Sequence, residues 1–153
     1  MTRQAVPTLD RNVFSSAEGL KNGAYVLADF GEGKEPEIIL MASGSEVSLI
    51  VAAGQKLAEE NHCVRLVSFP SWELFKNTSK SYQNSVLPEQ VKNRLAVEMG
   101  IAQGWCDWTG DEGEVLSIEQ FGASAPYKDI VEQFGFTVEN VYNRARKLLD
   151  KKR

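Results

Sequence analysis

The sequence predicts an α/β fold: a three-layer αβα domain around a five-stranded mixed sheet, four strands parallel and the first antiparallel. Three observations predict it. Short apolar runs alternate along the chain with amphipathic stretches of helical period. The run Ile38-Ile39-Leu40-Met41-Ala42 is apolar at every position, as in a strand covered on both faces. The connection between the first two strands is too short for a crossover helix, whereas helical stretches occupy the later connections.

Residues 1–22 carry Pro7, Asn12, Ser15, Ser16 and Gly19 without sustained periodicity, and read as an interdomain linker or arm. The α/β domain is expected over 23–153. Its first strand is 24–29, followed by a turn through Gly31-Glu32-Gly33 and Pro36, then a second strand at 37–42. Ser43 and Glu46 have the spacing of a capping box, and Val47, Ile50, Val51, Leu57 and Ala58 continue one helical face to about Glu60. Asn61-His62 ends that helix and 63–67 is the third strand. Ser71 caps a short helix over 72–75, and 88–91 forms a turn. The fourth strand is 95–98, a short helix follows at 101–108, and the fifth strand is 115–118. Pro126 suits the start of a helix over 127–134. Thr137 caps a final helix whose one face carries Val138, Val141, Tyr142, Ala145, Leu148 and Leu149.

Composition narrows the function. Of the 153 residues, 42% are hydrophobic and 25% charged, the proportions of an ordinary globular domain. Seventeen basic residues against 21 acidic ones leave a net charge of −4 and no basic stripe, so neither nucleic acid nor a membrane surface is an expected partner. The longest apolar runs fall far short of the ~20 residues of a spanning helix. Residues 1–12 lack the apolar core of a secretory signal, and a cytoplasmic location is expected. Cys63 and Cys106 have no neighbouring cysteine and only one histidine accompanies them, so a zinc site is not expected; both thiols are read as small packed hydrophobes.

Catalytic motifs are scarce. His62 follows a helix in a polar stretch and reads as a surface histidine. There is no nucleophile elbow, and Gly31-Glu32-Gly33 opens no helix, so no dinucleotide fingerprint is present. Two helix starts after strand ends could hold an anion: one around Ser43, Gly44 and Ser45, the other around Gly122 and Ser124. Glu46 brings opposing charge into the first. Trp72, Phe75, Trp105, Trp108 and Phe121 suit either a domain interface or core packing.

A set of longer words then carries a resemblance. Thr2-Arg3-Gln4 with Pro7, Gly44-Ser45-Glu46-Val47 and Phe69-Pro70-Ser71-Trp72-Glu73-Leu74-Phe75 come first. Tyr82, Ser85-Val86-Leu87-Pro88, Ala96-Val97-Glu98 with Gly100, Phe121-Gly122-Ala123-Ser124-Ala125-Pro126 and Phe134-Gly135-Phe136-Thr137 with Asn140-Val141 follow in order. Their order and spacing resemble the C-terminal domain of transketolases over essentially the whole chain.

The resemblance implies a transferase that moves a two-carbon ketol unit between sugar phosphates, with thiamine diphosphate and a divalent metal such as Mg2+. In that family the cofactor lies in the preceding domains at a homodimer interface, so the resemblance places no catalytic residue and no metal ligand here. It implies that the isolated domain is inactive and serves contact with the remaining transketolase domains, the dimer, or regulation. One residue carries over: Arg3 matches the arginine of the family's Ser-Arg-Gln-Asn-Leu-Pro segment, which binds the sugar's phosphate, although Thr2, Ala5 and Val6 depart from that segment. A guanidinium's planar fork suits phosphate oxygens. The alternative is a regulatory anion- or nucleotide-binding module of a related thiamine diphosphate enzyme.

Overall fold

The computed structural model describes residues 5–32, 35–121 and 126–151. The elements run β1 Tyr25–Phe30, β2 Ile38–Ala42, α1 Val47–Glu59, β3 Val64–Ser68, α2 Trp72–Lys76, α3 Lys80–Val86, β4 Arg94–Val97, α4 Cys106–Thr109, β5 Glu114–Leu116, α5 Tyr127–Gln133 and α6 Val138–Asp150. Five strands form one sheet in the order β1-β3-β2-β4-β5. β1 is antiparallel to β3, and every other pairing is parallel. The predicted fold class holds.

The centre is β2, whose five residues are all fully buried. Because side chains alternate across a strand, Ile38, Leu40 and Ala42 enter one core while Ile39 and Met41 enter the other. The first core is closed by Ile50 and Leu57 of α1 and by Val141, Ala145 and Leu148 of α6. The second is an aromatic block of Phe69, Phe75 and Trp105, with Val86 from α3. Trp72 and Trp108 pack against it from partly exposed positions.

The first strand is antiparallel as expected, yet it does not pair with the second. β3 lies between them, paired to β2 from Ile38↔Val64 and to β1 from Phe30↔Val64. The connection therefore crosses the start of β3, where the Glu37 amide donates to the Cys63 carbonyl at 2.8 Å. β1 is only half-buried and suits an edge, whereas β2 needs neighbours on both sides. Arg65 of β3 grips Asp29 of β1 through two bonds of 2.8 Å each, directly opposite it in register.

Three further local expectations are corrected. The capping box does not form: Gly44–Glu46 is a 3-10 turn, and the Ser43 hydroxyl makes no capping bond. The helix expected from residue 101 begins only at Cys106, because Gly104 sits at φ 87 with its Cα facing the Trp72 ring, and a Cβ there would lie 2.4 Å from it. Cys106 is exposed, at the start of that surface turn, whereas Cys63 is buried as expected. Ser71 and Thr137 do cap, accepting from Leu74 and Asn140 amides at 3.3 and 3.2 Å. α3, capped by Ser79, was hidden in sequence by its polarity: Val86 is its one buried residue. Within 5–22, Phe14 is buried in the first core and the Ser15 amide donates to the Leu27 carbonyl.

Gly23 joins the start of β1 to α2. Its φ is 80, and a Cβ would stand 2.3 Å from the Ser71 carbonyl oxygen and 2.4 Å from the Phe75 nitrogen. Left-handed strain alone costs about 1–3 kcal/mol for a non-glycine residue. Gly23→Ala is expected to exceed that range in urea unfolding, while Gly110→Ala, at φ 70 with nothing within 4 Å, shows strain alone. Equal losses for the two variants would remove the proposed clash.

Candidate functional site

The carboxyl ends of β2, β3 and β4 converge on one small cavity of about 190 Å³. Ser43 enters it from β2, Phe69-Pro70-Ser71-Trp72-Glu73 from β3, and Glu98 from β4; Trp105 closes one wall. The walls are rigid because their rings interlock edge to face: Phe69 and Trp105 centroids are 5.6 Å apart, Trp72 and Trp105 5.4 Å.

Glu98 is the chemically distinctive group. Its Oε2 accepts a hydrogen bond of 3.2 Å from the Ser43 hydroxyl, and the Trp105 side chain bonds it as well. Burial pushes its carboxyl above the ordinary value; the Ser43 bond opposes this, the Glu46 charge adds to it, and the Trp105 bond opposes it. Glu46 is itself buried, with its Oε1 accepting from the Ser45 hydroxyl at 3.0 Å. The turn through Ser43, Gly44 and Ser45 thus faces two carboxylates. In the sequence Glu98 reads only as the end of the fourth strand and part of a family word, yet a charged residue immediately after an apolar parallel strand is a usable positional signal.

Other sequence candidates are scattered. Arg3, Gly122 and Ser124 lie outside the described residues. His62 is at the amino ends of the strands, its Nδ1 3.3 Å from Glu37, beside a separate cavity of about 570 Å³. Phe75 and Trp105 serve the core, Trp72 and Trp108 pack against it, and Phe121 is fully exposed. Among the described residues no group of three His, Cys, Asp or Glu side chains could hold a metal ion, so no metal-dependent step is derived from this chain. No helix among them is long and apolar enough to cross a membrane.

Comparison with known proteins decides the family. Residues 23–137 match the Transketolase-like TK C-terminal domain. The chain belongs to this transketolase C-terminal domain family. The transketolase of Bacillus subtilis is 46% identical over 151 residues, covering 99% of this chain and 22% of the relative. That of Geobacillus stearothermophilus is 48% identical over 151 residues, with the same coverage. The crystal structure of Pichia stipitis transketolase in complex with sedoheptulose-7-phosphate superposes with a TM-score of 0.83 at 34% identity, covering 97% of this chain and 20% of that one. This transketolase C-terminal domain therefore spans about one fifth of the length of its relatives.

The raised Glu98 carboxyl has a measurable sign. In the window just above the ordinary value of 4.5 the folded state holds more protons than the unfolded one, so the Glu98 contribution to stability falls as pH rises through it. Glu98→Gln abolishes that loss while keeping an oxygen for the Ser43 hydroxyl. The variant's stability relative to wild type is expected to rise between about pH 4 and pH 7 in urea melts. A gap independent of pH would show that Glu98 does not titrate abnormally.

Proposed function

We propose that this chain is the third domain of a transketolase whose whole polypeptide transfers a two-carbon ketol unit between sugar phosphates. The observation that carries the reading is 46–48% identity to transketolases across 99% of the chain. Thiamine diphosphate and a divalent metal such as Mg2+ belong to the preceding domains of the whole protein; this chain is assigned no ligand to either. The isolated 153 residues are inactive on this reading. Residues 23–153 contribute contact within a cytoplasmic homodimer, and residues 1–22 form the connecting arm. Two carboxylates beside the Ser43 turn weigh against the alternative of an anion- or nucleotide-binding regulatory module.

Arg3 is the residue proposed to touch substrate, anchoring the phosphate that the sugar acceptors share. Such an anchor binds ground and transition states alike and acts on KM more than kcat. A charge-assisted bond of about 1.5–3 kcal/mol corresponds to roughly 10- to 150-fold in affinity. In the whole protein, Arg3→Ala is expected to raise KM for phosphorylated acceptors by that order and to leave unphosphorylated acceptors nearly unchanged. Equal losses for both acceptor classes would mean that Arg3 holds the domain in place. Ketol transfer by the whole protein, with none by the 153-residue chain, tests the reading itself.

A further inference from the structure

Asn22 is the one asparagine of the sequence that is followed by glycine. An asparagine amide carbon is an electrophile within reach of the next main-chain nitrogen. Glycine, with no Cβ, leaves that nitrogen unobstructed and its dihedrals free. The native fold restrains the pair. Asn22 is the last residue of a 3-10 helix over Ala17–Asn22, and the Gly23 amide donates to the Leu20 carbonyl at 3.0 Å. Ring closure needs the Gly23 nitrogen to leave that bond and swing towards the Asn22 side chain. Gly23 is buried, and its carbonyl accepts from the Ser71 amide at 2.9 Å, so its position against α2 is fixed. The Asn22 side chain, by contrast, is only half-buried, and its amide makes no hydrogen bond among the described residues.

We infer that Asn22-Gly23 is a self-modification site that the folded domain holds inactive and that opening of residues 17–22 releases. The Gly23 nitrogen attacks Asn22 Cγ and forms a bond to it. The Cγ–Nδ2 bond breaks, and the amide leaves as ammonia, taking the proton of the Gly23 nitrogen. Water then opens the succinimide, and the Gly23 nitrogen regains a proton. Attack at Cγ gives aspartate. Attack at the main-chain carbonyl carbon gives isoaspartate, in which the chain runs through Cβ and Cγ and is one atom longer. That second product does not fit the native path, because the segment is held at both ends. The Ser15 amide is bonded to the Leu27 carbonyl at 2.8 Å, and Gly23 stands where a Cβ would lie 2.3 Å from the Ser71 carbonyl oxygen. Between them Gly19 faces the Tyr25 ring, and a Cβ there would lie 2.3 Å from its Cγ. An added main-chain atom therefore has no slack to enter.

Ageing the 153-residue chain at mildly alkaline pH, once folded and once in denaturing urea, tests this by peptide mapping around Asn22. In urea, aspartate and isoaspartate are expected to accumulate at Asn22. In the folded chain they form at least about tenfold more slowly, which an opening step of about 1.4 kcal/mol suffices to cause. Comparable rates in the two states, or no conversion in urea, overturn the inference. The misfit of the lengthened chain is read separately. The isoaspartate form, separated from the aspartate form and refolded, is expected to melt below Asn22→Asp, which carries the same added charge on a main chain of native length. Failure of the isoaspartate form to refold where Asn22→Asp refolds supports the same conclusion. Equal melting temperatures show that the segment has room for the extra atom and overturn it.

Discussion

Burial of β2 on both faces is the constraint from which the rest of the domain follows. Ile38, Ile39, Leu40, Met41 and Ala42 expose nothing to solvent. Full burial of each large apolar side chain contributes about 1.5–3 kcal/mol, and these side chains point alternately to opposite faces. Neither face can be left open, so α1 and α6 close one and the aromatic block with α2, α3 and α4 closes the other. The backbone of β2 makes a second demand. Deep in the sheet its amides and carbonyls need partners on both edges, which β3 and β4 supply in parallel register. β1, with Asp29 and the half-buried Tyr25 and Val26, is left the outer place beside β3.

The same arrangement decides where reactive groups collect. Parallel strands β2, β3 and β4 end together, so the chain must turn at one rim after Ala42, Ser68 and Val97. Ser43, Phe69 and Glu98 are the first residues beyond those ends and become neighbours there. The aromatic block that closes the second core continues into this rim through Phe69, Trp72 and Trp105, which gives the cavity stiff walls. Glu98 is half-buried between these walls. This is why burial, more than any single neighbour, sets the behaviour of Glu98.

Much of this was written locally. Ser71 and Thr137 accept the amides three residues on, and a pattern of four residues suffices to specify that bond. The apolar faces of α1 and α6 repeat at helical spacing and are buried as that spacing requires. The all-apolar run at 38–42 announced a central strand, and ordered words such as 69–75 announced the family. Each of these signals spans a few residues and needs no knowledge of what lies across the molecule.

Tertiary structure decided what depends on partners distant in sequence. Ser43 and Glu46 have capping-box spacing, yet the Ser43 hydroxyl turns to Glu98, 55 residues away, because β2 and β4 end side by side. Gly104 breaks the expected helix because the ring of Trp72, the first residue of α2, packs against it. β3 separates β1 from β2 because chain order does not fix strand order, and the most apolar strand takes the most buried place. Sequence spacing determines a bond when both partners lie within one turn of backbone. When a partner comes from another strand, only the packed fold determines it, because distance along the chain then no longer measures distance in space.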